Sequence, residues 1–179
     1  MMKIFDLEDE LKAIIKENTK EYKLNVHPES ENESEPRAPI VIIGNQPREV
    51  LQNIIPCVII KTPNGKNTLL EKLLTLTVSV VIYETETSTA YKTIYEIIDK
   101  ISTAIIEKGI ILQEFEILPT YEWNISDEEM YPFWAGNLNF HIVTKNIYRT
   151  DVDDFIYGKD WGKNGRSEEH TSELQSNGE

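Results

Sequence analysis

Three histidines, a single cysteine and a surplus of acidic residues are the groups that could carry chemistry in this chain. A metal centre or an acid–base site needs several such groups converging on one point. His27 heads an acidic, serine-rich run, His141 stands among alternating strand residues, and His170 lies near the C-terminus. None has a partner at the short spacings that metal ligands use. Cys57 is alone within the apolar run "IIPCVII", so no intramolecular disulfide can form, and a core thiol is expected rather than a nucleophile. The stretch "TDVDDF" (Thr150–Phe155) has the outline of a calcium loop. With Asp151 in first place, however, Ile156 and Gly162 occupy the sixth and twelfth positions, where glycine and glutamate are needed. "SDEE" (Ser126–Glu129) fits a helix capping box, but Pro132 leaves no room for a long helix. "NIS" (Asn124–Ser126) matches a glycosylation acceptor, which has meaning only in a secreted chain. "GKN" (Gly65–Asn67) lies in an expected hairpin turn rather than before a helix, and no glycine-rich phosphate loop occurs. The expectation is therefore a protein without catalytic residues, cofactor or metal, and not an enzyme.

Charge narrows the partners. The formal net charge is -13 at pH 7. Such a chain repels nucleic-acid phosphates and anionic membranes, so neither specific nucleic-acid binding nor membrane binding is expected. No stretch approaches the roughly 20 apolar residues that span a bilayer. The opening "MMKIFDLEDELK" places acids where a signal peptide would be apolar, and with the lone cysteine this points to synthesis in a reducing cytoplasm.

The elements that would position side chains follow from periodicity. In "DLEDELKAIIKEN" (6–18), Leu7, Leu11, Ile14 and Ile15 form one apolar stripe, predicting a helix with Asp6 as its N-cap. The run 27–39 is too polar to order itself and reads as an exposed, mobile loop. "IVII" (40–43) and "CVIIKT" (57–62) read as strands, and the segment between them as a loop with one helical turn after Pro47. Leu74, Leu76, Val78, Val80 and Ile82 alternate with more polar residues, so 57–83 is predicted as a hairpin turning at Pro63–Gly65. Ile94, Ile97, Ile98, Ile101 and Ile105 mark a helix over 87–109, capped by Thr87 or Ser88 and ended by Gly109. Two further alternating strands are expected in "ILQEFEILPTYEW" and "YPFWAGNLNFHIVT" (131–144). The last places Trp134, Gly136, Leu138, Phe140 and Ile142 on one face, with Asn137, Asn139 and His141 on the other. The predicted class is α+β: a mostly antiparallel sheet of about five strands with two packed helices, in one domain over 3–145.

The stretch "LPTYEWNISDEEMYPFWAGNLNFHIVT" closes an aromatic-Glu-Trp strand, makes an acidic turn, and opens the next strand with Tyr131-Pro132-Phe133-Trp134-Ala135-Gly136. Together with the order of the first helix and the central strand–helix unit, this resembles the tail terminator (tail completion) proteins of long-tailed bacteriophages. The resemblance implies a homo-oligomer, a hexameric ring at the head-proximal end of the tail in the virion. That ring stops polymerisation of the tail tube protein and docks the head-completion protein, with DNA passing through it. Its acidity would keep the passing duplex from sticking, so acidic side chains are expected along the lumen. Within the motif, Tyr131, Phe133 and Trp134 read as core or edge packing, or as a subunit contact, and Pro132 suits a first strand position. A head–tail joining protein and a small ligand-binding or regulatory α+β domain are the alternatives.

Residues 146–165 read as an uncertain extension. Residues Arg166–Ser176, "RSEEHTSELQS", resemble the in-frame translation of a common sequencing-library adapter. The segment 166–179 is therefore expected to be an artefactual, disordered tail with no part in function.

Overall fold

The first helix, α1 (Ile4–Thr19), buries Leu7, Leu11, Ile14 and Ile15, the stripe its spacing demands. It starts before Asp6, which therefore lies in the first turn, where an acid favours the positive end of the helix dipole, instead of capping it. This is a computed structural model, and it describes residues 4–28, 30, 35–68, 71–126 and 130–145. Two compact units divide the chain, and all described residues belong to the one spanning Met1–Asn146. The calcium-like run, His170, the extension and the adapter-like tail lie outside the described residues, as do residues 127–129 of the capping-box candidate.

After α1 the chain is tied by reciprocal backbone hydrogen bonds between Leu24 and Arg37, at 2.9 and 3.0 Å. The ends of the acidic loop are thus anchored, and Leu24 and Val26 enter the core. Strand β1 (Ile40–Ile43) follows, then helix α2 (Arg48–Ile54), then β2 (Cys57–Asn67). β1 pairs parallel with β2, Ile40 opposite Cys57. The expected loop with one helical turn is in fact a helical crossover between parallel neighbours. Pro47 precedes α2 and Glu49 stands in its first turn, which is start chemistry for a helix too short to show a stripe.

β3 (Glu71–Tyr83) runs back antiparallel to β2. The expected turn at Pro63–Gly65 is corrected: those residues belong to β2, and the register shifts between Lys61 and Asn64. The reversal falls between Thr68 and Glu71, where the Thr68 N–H and hydroxyl both donate to the Glu71 carbonyl at 2.8 Å. Turn-forming residues were accommodated as an edge bulge, where a missing proline N–H costs little.

α3 (Thr87–Lys108) buries Ala90, Ile94, Ile97, Ile98, Ile101 and Ile105. Its N-cap is Glu86, without a side-chain capping bond, rather than Thr87 or Ser88. Glu84 organises the approach instead, its Oε1 accepting the N–H groups of Thr85 (2.9 Å) and Glu86 (3.2 Å). Gly109 ends the helix at φ 62°. The next expected strand is divided: β4 (Ile110–Ile111) turns through Leu112 and Gln113, both at positive φ, into β5 (Phe115–Ile125). β6 (Phe133–Lys145) completes a sheet of order β1-β2-β3-β6-β5-β4.

The fold is α+β, with helices on a mostly antiparallel sheet. In detail the sheet has six strands and is mixed, and α2 is a third helix. One face carries α1 and α3 over a core running from Val41 through Val58, Val78 and Leu138 to Phe115. On the other face α2 covers only the β1–β2 end, with Leu51 and Ile54 against Ile55, Cys57 and Ile59.

Candidate functional site

The Tyr131–Gly136 motif divides according to the direction of each side chain. Trp134 points inward and is buried, and its indole Nε1–H donates to the Glu84 carbonyl at 3.0 Å. Gly136 lies directly under α3. A Cβ there would stand 2.5 Å from Ile98 Cδ1 and 2.7 Å from Ile94 Cγ2, so the missing side chain lets the helix settle on the strand. Phe133 points to the opposite face, its ring 5.8 Å from Tyr83 and 5.2 Å from His27. His27 meets Tyr83 edge-on at 5.1 Å, so the first residues of the acidic loop are held by aromatic contact. Pro132 stands just before the strand, and its carbonyl accepts the Glu84 N–H at 3.0 Å. Tyr131 is exposed, with a long hydrogen bond from its hydroxyl to the Thr85 carbonyl, 3.4 Å. Trp134 thus packs in the core, while Tyr131 is exposed.

Beside Phe133 and Tyr131 a cavity of about 370 Å³ opens between the strand starts and α2, lined also by Leu51, Gln52, Ile55 and Met130. Away from α2 the same face of the sheet is uncovered by any described helix and polar. Ser79 donates to Asn137 Oδ1 at 2.6 Å and Thr77 to Asn139 Oδ1 at 2.9 Å. His141 lies opposite Thr75 and is exposed. On the helical face a groove of about 520 Å³ between α1 and α3 gathers Glu96, Asp99 and Glu107 around Tyr22 and Lys100. Burial there, and then the charges of Glu96 and Asp99, push the Tyr22 hydroxyl above its ordinary pKa.

Among the described residues the chemistry-bearing groups do not converge. His27 and His141 lie in separate surroundings, the first among aromatic rings and the second on the open face. Cys57 is buried, and its pKa is pushed up to about 12 by that burial against a smaller downward pull from Arg37. It is a protonated thiol at neutral pH, without the thiolate a nucleophile requires. Among the described residues no group of three or more His, Cys, Asp or Glu could hold a metal ion, and no helix is long and apolar enough to cross a membrane.

Sequence reasoning missed His27 as a partner of Phe133, and it missed α2 as a cavity wall. Both depend on pairings between distant segments that periodicity does not report. It also missed the exposed ring pair of Tyr95 and Trp123, 5.6 Å apart, which joins α3 to β5. The placement of Tyr91 and Tyr95 one turn apart, off the isoleucine stripe, was the available signal. No protein-family model and no curated protein matches the chain.

Proposed function

We propose that this chain is a structural protein of a long-tailed phage virion, a tail terminator acting as a ring that closes the head-proximal end of the tail tube. The observation that carries the reading is the Leu118–Thr144 stretch, an aromatic strand end followed by the Tyr-Pro-Phe-Trp-x-Gly strand opening. Support comes from a rigid sheet with helices on one face and an open polar face on the other, and from contact-type aromatics at Tyr131 and Trp123. A subunit of this kind works by shape, stopping the tail tube protein and offering a surface to the head-completion protein. The open sheet face mixes Lys61, Lys66 and Lys145 with Glu71, Glu116 and Glu122. An acidic lumen would therefore be supplied by the helical face, where Glu96, Asp99 and Glu107 gather. The test is electron microscopy of tails assembled without this gene. Tubes of uncontrolled length, corrected by adding the protein back, are expected; normal capped tails reject the reading.

The cavity beside α2 favours a second reading, a small domain that binds an apolar ligand there. Saturable stabilisation by a small apolar compound, lost in Leu51→Trp, would support it. A head–tail joining role would instead leave tail length normal and yield unjoined heads.

A further inference from the structure

The two edges of the sheet are each half covered, and at opposite ends. β1 pairs only with Cys57–Ile60 of β2, and the Gly44 N–H donates to the Ile60 carbonyl at 2.9 Å just beyond it. From Lys61 to Asn67 β2 pairs, among the described residues, on its β3 side alone. β4 pairs only with Phe115 and Glu116 of β5, and the Ile117 N–H reaches the Gly109 carbonyl at 2.7 Å. From Leu118 to Ile125 β5 has, among the described residues, only β6 as a neighbour. Unpaired strand edges are templates for another chain unless something blunts them.

We infer that the open edge of β2 in one copy pairs with the open edge of β5 in the next, so that copies join head to tail into a closed ring. Three observations select this occupant. Direction is the first: β2, β3, β6 and β5 alternate antiparallel across the sheet, so β2 and β5 run oppositely. Two copies in the same orientation therefore meet with antiparallel strands, and the open face of one continues into that of the next. Charge is the second. The β2 stretch from Cys57 to Thr68 carries Lys61 and Lys66 and no acid, whereas Ile110–Ser126 carries Glu114, Glu116 and Glu122 and no base. A β5–β5 contact would oppose glutamates, and a β2–β2 contact lysines. Shape is the third. Because β1 and β4 cover opposite ends, the joint must be staggered by part of a strand. A stagger of this kind is what strands tilted in a closed wall require.

The aromatic pair sits beside this joint, with Trp123 on the open part of β5 and half-exposed like Tyr95. Both are residue types that anchor protein interfaces. Pro63 and Pro119 fall within the register shifts of β2 and β5 and limit the pairing to the residues beyond them, Asn64–Asn67 and Thr120–Ile125. Heterologous contacts that close give a ring, and a ring leaves no edge open.

The inference takes the ring from the tail-terminator reading but rests on the edges alone, so its test is separate from tail length. The full chain, Glu122→Lys and Lys66→Glu are each followed by analytical ultracentrifugation and native mass spectrometry over increasing concentration. Both positions are exposed, and circular dichroism checks that each variant is folded. The unmodified chain is expected to form a closed oligomer. Each variant alone should need roughly tenfold more protein to assemble, since like charges then face each other. An equimolar mixture should recover assembly with alternating subunits, because every joint again opposes a lysine to a glutamate. A chain that stays monomeric at millimolar concentration, or a mixture no better than its separate components, overturns the inference. If the mixture recovers while tails lacking the gene have normal length, the edges pair and the tail-terminator reading fails.

Discussion

The two faces of the sheet are built from the same strands with opposite chemistry. Even-numbered residues of β3 and β6 point toward α1 and α3, and Leu74 through Ile82 and Trp134 through Ile142 are buried there. Odd-numbered residues point away, into a Ser/Thr/Asn ladder that gives way to an apolar cluster under α2 and to the Leu73–Val143 pair at the other end. A strand with period two can serve two masters: one face holds the molecule together, and the other remains free for contact. If that division is real, substitutions one residue apart should differ by several kilocalories.

The largest effect belongs at the centre of the helical face. Phe140 is fully buried and stacks on Tyr121 with ring centroids 5.2 Å apart. Phe140→Ala should destabilise by about 3–5 kcal/mol through lost burial and an unfilled cavity. A loss of unfolding free energy in urea of less than about a quarter of that would show a loosely packed face. Gly136→Ala comes next, because the new methyl meets Ile98 and Ile94. Ile98 Cδ1 is the end of a flexible chain, but Ile94 Cγ2 is fixed at the branch point, so α3 must shift. A cost of about 1–3 kcal/mol is expected. An unchanged midpoint would mean that the helix does not rest on the strand there.

Cys57 tests the small apolar end of the other face by pH. Its folded pKa is raised from 9.0 to about 12, chiefly by burial. Below the unfolded value the thiol is protonated in both states and its stabilising effect is fully present. Above it the unfolded chain releases the proton while the folded chain retains it. Stability should then fall by about 1.4 kcal/mol per pH unit relative to Cys57→Ala, from near pH 9 toward the folded pKa. Parallel curves for the two proteins between about pH 8.5 and 10.5, across the ordinary thiol value of 9.0, would show that Cys57 is open to water.

Much of the helical face was legible because burial on one side imposes a period. The isoleucines of α3, the alternation in β3 and β6, and Gly109 after α3 all announce themselves locally. What was not legible depends on contacts distant in sequence. The seven-residue α2 is too short for a helical stripe and is held by tertiary burial against β1 and β2. Pro63–Gly65 is ideal turn chemistry, yet the longer β2–β3 ladder continues past it. Of the candidate motif, the inward Trp134 and Gly136 followed from alternation, but the company of Phe133 and Tyr131 did not. His27 lies far away along the chain, and the Thr85 carbonyl that accepts the Tyr131 hydroxyl belongs to a loop that no pattern marks.

The smallest effect should come from the polar ladder, and there the comparison is sharpest. Asn139 is the residue before Phe140, and its side chain accepts the Thr77 hydroxyl at 2.9 Å on a half-exposed surface. Removing one partner leaves the other within reach of water, so no buried group is stranded. Asn139→Ala should therefore cost no more than about 1 kcal/mol. Replacing Thr77 and Asn139 together by valine removes both polar groups and adds residues suited to strands, so the double variant should be no less stable than either single change. If the double variant instead loses as much as Phe140→Ala, the open face is part of what holds the sheet, and the division of labour between the two faces is wrong.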